Sequence, residues 1–166
     1  MILGGTHKIP AARETVWQAL MNPEILARAL PGCEKLEANP DGSYHAQMKV
    51  GIAAIKGTYQ GRIEILDPIP NESFRMKVDG QGTGGFLKAI GTLSLASEGD
   101  GTLVRYAGEA QVGGVIASVG QRLMLVAAKQ IINQFFRAFA QQVAAGGETA
   151  EKPAGPAATD PPPQES

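Results

Sequence analysis

Val115–Ala145 reads VIASVGQRLMLVAAKQIINQFFRAFAQQVAA, a run with no acid and no proline that follows Gly113-Gly114. Wound at about 100° per residue, one half of this surface is apolar: Met124, Leu125, Ala127, Ala128, Ile131, Ile132, Phe135, Phe136, Ala138, Phe139 and Val143. The other half carries Ser118, Gln121, Arg122, Lys129, Asn133 and Arg137. The spacing predicts one helix over 115–145, roughly 46 Å long at 1.5 Å per residue. Such a helix needs a large apolar partner.

The residues before it supply one. Tyr44, Ala46, Met48, Val50 and Ile52 alternate with His45, Gln47 and Lys49. Tyr59, Gly61, Ile63 and Ile65 alternate with Gln60, Arg62 and Glu64. The same two-residue period runs through 74–79, 87–95 and 104–112, which predicts antiparallel strands with one dry and one wet face. Pro40-Asp41-Gly42, Pro68 to Glu72 and Gly99-Asp100-Gly101 read as turns. Upstream, Leu3–Ile9 reads as a strand and Ala11–Met21 as a helix. Asn22-Pro23 caps a second short helix that Pro31-Gly32 ends. The expected class is α+β: one strand, two short helices, about six strands, and a long helix laid on the dry face of the sheet. Residues 1–145 form one domain in this reading. From Gly146 the chain turns rich in Pro, Ala and acids and is expected to be a disordered tail, 146–166.

Composition excludes several functions. The 166 residues carry a formal net charge of −1. Four acids in the tail against Lys152 leave the body only slightly basic, too weak for nucleic acid. One cysteine, Cys33, allows no intrachain disulfide and suits a reducing cytosol. MILGGTHK lacks the apolar run of a signal peptide. No stretch approaches 18 consecutive apolar residues.

Catalytic chemistry is hard to find. Gly80, Gly82 and Gly85 satisfy G-x-G-x-x-G, but a strand follows them where a pyrophosphate site needs a helix N-terminus. Cys33 lacks a partner base; His7 and His45 are the only histidines. Two histidines cannot cage a metal, and Glu64, Asp79 and Glu109 lie on wet positions near Arg62, Lys77 and Arg105. We therefore expect no catalytic residue, no metal and no intrinsic cofactor.

Small residues at inward positions are more informative. Ala46, Gly61, Ala89, Gly91, Gly108 and Ala110 face small helix positions at Ala127 and Ala128. They allow either close helix–sheet packing or an internal space. In the second case the lining is Tyr59, Ile63, Met76, Leu93 and Tyr106 from the sheet, with Met124, Ala128 and Ile131 from the helix. Arg122, Lys129 and Arg137 share one sector of the helix. At roughly 1 kcal/mol each they supply about 3 kcal/mol toward anionic lipid. A millimolar complex needs ~4.1 kcal/mol. Membrane or partner contact therefore needs an apolar insert as well, for which Ile52, Ile55, Phe86 and Leu87 are the candidates.

IPAARETVWQALMNPEILARALPGCEKLE (Ile9–Glu37), EAQVGGVIASVGQRLM (Glu109–Met124) and FFRAF (Phe135–Phe139) resemble the signatures of the CoxG family of carbon monoxide dehydrogenase subunits. The resemblance covers about residues 1–145. It implies the helix-grip, START-like (Bet v 1-like) fold, in which an antiparallel sheet wraps a long C-terminal helix. Such folds commonly hold apolar ligands between sheet and helix, which favours the cavity. The resemblance also implies a non-catalytic accessory of a molybdenum hydroxylase such as carbon monoxide dehydrogenase, in the cytoplasm and peripherally associated with the inner face of the cell membrane. From the cavity we expect a lipid-like cargo such as a respiratory quinone, menaquinone or ubiquinone. A ligand-free assembly or recruitment factor is the alternative, and a small hydrolase or cyclase ranks last.

Overall fold

The computed structural model describes residues 1–150, and the side chains of these apart from Ala54 and 146–150. The expected tail therefore lies, from 151 on, outside the described residues. Seven strands form one antiparallel sheet in the order β1-β7-β6-β5-β4-β3-β2. They are β1 (Ile2–Ile9), β2 (Cys33–Ala38), β3 (Tyr44–Val50), β4 (Gly57–Ile69), β5 (Ser73–Gly82), β6 (Gly85–Glu98) and β7 (Gly101–Gly113). Strands β2 to β7 follow one another as a meander, and β1 then adds to β7 at the far edge. The chain must cross from one edge of the sheet to the other between β1 and β2. Helices α1 (Arg13–Leu20) and α2 (Pro23–Ala29) make that crossing and close one end.

Both short helices start where local chemistry places them. Asn22 caps α2 by accepting a hydrogen bond from the Glu24 amide at 3.0 Å, with Pro23 at the first helical position. Helix α1 has no side-chain cap. Its entry is held instead by buried Thr102, whose hydroxyl donates to the Ala11 carbonyl at 2.7 Å. The turn before β3 is closed by Asp41, which accepts from the Ser43 amide and hydroxyl and from Arg62. The Ser43 bonds, and then Arg62, hold the Asp41 carboxyl well below the usual carboxylate range.

The long helix differs from the expectation at its start. Val115–Val119 is a 3-10 turn, and α3 runs from Gln121 to Ala150. Gly120 sits between them at φ 95° and Gly114 precedes the turn at φ 86°. These left-handed positions interrupt the α-helical bond pattern, so the apolar periodicity of 115–119 does not continue that of α3. The other end runs on past the boundary expected at Gly146.

The core is concentrated at the α1–α2 end. Val16, Leu20, Phe74, Leu95 and Val104 pack there with Phe136, Phe139 and Val143 of α3. Phe139 is 0% exposed; burying such a ring contributes roughly 1.5–3 kcal/mol. Aromatic edges and faces knit this end: Trp17 meets Phe74 edge-on at 5.8 Å, and Phe135 stacks on Phe139 at 5.6 Å. Toward the N-terminus of α3 the inward positions on sheet and helix are mostly half-buried.

Candidate functional site: an apolar cavity between sheet and helix

Pairing across the sheet sorts the inward residues into rows. Ala46, Gly61 and Gly80 share a row with Leu87. Ile63, Val78, Ala89 and Ala110 form the next, and Met76, Gly91, Gly108 and Leu3 the one after. Small residues thus cross the middle of the sheet diagonally. A Cβ built on Gly61 would meet only the Asp79 carbonyl oxygen at 3.3 Å and the Gly80 Cα at 3.7 Å. Added Cβ atoms on Gly91 and Gly108 would strike the neighbouring strand, at 2.9 Å from the Ala107 oxygen and 2.6 Å from the Ile90 oxygen. Helix α3 therefore does not press on Gly61, and the close-packing alternative fails there. Space remains.

Farther along the sheet, away from Gly61, lies a half-open apolar cavity of about 130 Å³. Leu3, Met76, Val78, Ala89, Leu93 and Tyr106 line it from the sheet, and Ile132 from α3. Of the residues expected to line a cavity, the fold brings Met76, Leu93 and Tyr106 together. The remaining expected residues are not placed on this cavity. Ile63 is half-buried in the row of Val78. Met124 is buried and Ala128 half-buried on the inward side of α3. Ile131 is a correction, because it lines a separate groove with Pro31, Val50, Ile52 and Gln134. Ile132 takes its place. The spacing Met124–Ala128–Ile132 carried that signal, since residues four apart stack on one helix face.

Tyr59 is a second correction. It is absent from the cavity lining, and its hydroxyl donates to the Ile55 carbonyl at 2.7 Å, tying it to the 3-10 turn Ala53–Ile55. Burial pushes the Tyr59 and Tyr106 phenols up from their ordinary pKa. Tyr106 makes no hydrogen bond among the described residues. Beside it lies His7, which the sequence reading left unassigned although period two in β1 turns it inward with Leu3, Gly5 and Ile9. His7 stacks on Phe136 at 4.3 Å and on Tyr106 at 5.9 Å. Burial lowers its pKa.

The end opposite the core is built on glycines. The G-x-G-x-x-G segment is the hairpin of β5 and β6, as its missing helix implied. A Cβ on Gly84 would stand 2.6 Å from Ile116 Cγ2, and the Ile116 amide donates to the Gly84 carbonyl at 2.7 Å. Gly82 admits Tyr59, and Gly113 lies under the Phe86 ring. These absences of side chain let the hairpin, the 3-10 turn Ala53–Ile55 and the turn Val115–Val119 meet.

The expected contact residues divide. Arg122, Lys129 and Arg137 are exposed, and Phe86 is partly so. Ile52 and Ile55 are half-buried in the wall, and Leu87 points inward, which corrects their reading as free inserts. On α3 and the turn before it, the exposed large apolar side chains are instead Leu123 at 50% and Val126 at 57%, with Val115 at 75%. Val126 shares a surface groove with Lys129 and Arg137. Cys33 donates to the Lys35 carbonyl at 3.5 Å, and burial raises its pKa, which favours the thiol over the nucleophilic thiolate. Among the described residues no helix is long and apolar enough to cross a membrane, and no three potential metal ligands cluster.

A seven-stranded antiparallel sheet packed on one long C-terminal helix, with two short helices between its first two strands, defines the helix-grip, START-like class. The chain belongs to the CoxG family of carbon monoxide dehydrogenase subunits, whose model matches residues 5–144. A conserved Geobacillus kaustophilus protein is 34% identical over 88% of this chain and 97% of its own, with a TM-score of 0.85. A START superfamily protein from Mycobacterium smegmatis is 15% identical over 87% of this chain and 97% of its own, at TM-score 0.67. A Thermus thermophilus protein is 18% identical over 88% and 99%, at 0.66. The last two similarities concern the fold alone. No curated protein matches.

Proposed function

We propose that this protein is a non-catalytic carrier of an apolar, lipid-like molecule, serving a molybdenum hydroxylase of the carbon monoxide dehydrogenase type. The observation that carries the reading is the apolar cavity, kept open by small residues, in a chain of this family. A respiratory quinone, menaquinone or ubiquinone, suits it because a polar ring and an apolar tail match an apolar wall that includes a tyrosine. The cavity of about 130 Å³ is smaller than the roughly 300–1,000 Å³ of drug-sized sites. A whole isoprenoid quinone therefore enters only as the N-terminal half of α3 moves outward. Gly114 and Gly120 flank the turn that leads into that half, which contributes less to the core than Phe136 to Val143 do.

Delivery between a membrane and a soluble enzyme requires reversible peripheral contact. Leu123 and Val126 beside Arg122, Lys129 and Arg137 supply apolar insertion and positive charge on one helix surface. The same surface would serve the ligand-free alternative, recruitment of the hydroxylase alone. The two readings separate when protein purified from a quinone-containing host is extracted with organic solvent and examined by mass spectrometry. Near-stoichiometric quinone is expected. Protein that comes out empty and takes up none from quinone-loaded vesicles would sink the carrier reading and leave recruitment.

A further inference from the structure

We propose that Tyr106, which lines the cavity, and His7 beside it bind a flat ring bearing a carbonyl or hydroxyl group. The inference rests on the carrier reading and goes beyond it by assigning which residues recognise the head of the ligand. Tyr106 lines the cavity, yet its hydroxyl has no hydrogen-bond partner among the described residues. The ring is half-buried, and its hydroxyl is free to exchange water for a polar group of a ligand. The fold makes room for this hydroxyl. Gly5 stands opposite Tyr106 in the pairing of β1 with β7. A Cβ on Gly5 would lie 2.9 Å from the Tyr106 oxygen, so any larger residue would push it aside.

His7 adds the complementary group. Its ring lies nearly parallel to Phe136, at 18°, and to Tyr106, at 17°. Tyr106 and Phe136 are themselves stacked at 6.0 Å and 21°. The three rings are mutual neighbours with nearly parallel planes, and their faces offer a surface to one more flat ring, since offset stacking is the favoured contact between aromatics. A neutral imidazole offers one donor and one acceptor nitrogen, and a phenol offers both roles. A carbonyl on the ligand accepts from Tyr106, and a hydroxyl in its place donates to His7. Tyr59 already gives its proton to the Ile55 carbonyl and does not line this cavity.

The test compares two probes of nearly the same shape by equilibrium dialysis: menadione, which has two ring carbonyls, and 2-methylnaphthalene, which has none. The native protein should bind menadione about tenfold more tightly, equivalent to about 1.4 kcal/mol. Tyr106→Phe should bind both probes equally, with the naphthalene affinity unchanged. The urea midpoint of the ligand-free variant should not fall, since nothing in the protein uses the lost hydroxyl. His7→Phe keeps the three rings and should leave the menadione preference intact while weakening 2-methyl-1-naphthol, whose hydroxyl donates to His7; unchanged naphthol binding would remove His7 from the site. Equal binding of both probes by the native protein would overturn this assignment and leave the carrier reading standing. Failure to bind either probe would overturn both.

Discussion

His7 shows how one side chain reports on its surroundings. It stands on an edge strand among apolar and aromatic groups, and burial holds its pKa below the ordinary value of about 6.5. The unfolded chain then takes up this proton at a higher pH than the folded one does. Where the unfolded state binds more protons, stability rises with pH. The fold should lose stability as pH falls through about 6.5 and further toward the lower folded pKa. His7→Phe should flatten that slope relative to the native protein, as read from urea midpoints between neutral and mildly acidic pH. Parallel slopes for the two proteins would show that His7 is as easily protonated folded as unfolded. Residue-level legibility was uneven. Met76, Leu93 and Tyr106 were visible as large members of alternating strands. His7 obeys the same alternation, but a histidine on a short first strand carries no sign of the ring stack until α3 brings Phe136 to it.

At the scale of elements, α3 is two helices in one. Its later turns bury Phe136, Phe139 and Val143 in the main core. Its earlier turns bury Met124 and Ala127 but leave Leu123 and Val126 half in solvent. Local opening follows the density of buried apolar contact. Backbone amides of residues 124–130 should exchange with solvent about tenfold faster than those of 135–143 by hydrogen-exchange mass spectrometry. Equal protection along α3 would argue against movement of the earlier half. The period-3.6 pattern revealed the helix and its apolar side. It did not reveal the break at Gly120, because Ile116 and Val119 keep the apolar spacing while Gly114 and Gly120 turn the backbone aside.

On the scale of the whole molecule, the cavity and the core compete for the same interior. Packing at crystal density is the more stable arrangement, so an open space costs stability and is retained where function needs it. Ala89→Leu places three more carbons into the cavity, between Val78 and Ala110 in their shared row. Urea unfolding should show a gain of about 1–2 kcal/mol, from roughly 0.8 kcal/mol per added buried carbon less some strain. Ligand uptake should be lost in the same variant. Retained uptake would place the ligand elsewhere.

What the sequence determined by itself follows from periodicity and turn chemistry, which act over neighbouring residues. These are the α+β class, the order of elements, the wet and dry faces, the cap at Asn22, and the refusal of Gly80–Gly85 to be a nucleotide loop. The family resemblance was legible for the same reason, since its signatures are contiguous. Tertiary structure decided the rest. Whether Gly61 accommodates a helix or borders a void depends on how far α3 stands from the sheet. Whether Ile131 or Ile132 meets the cavity depends on the rotation of α3 about its axis. Tyr59 is committed to Ile55 and Tyr106 is not, because the 3-10 turn at 53–55 folds back over one tyrosine and glycine clears space for the other. Each of these is set by distances between segments far apart in the chain, which no local pattern encodes.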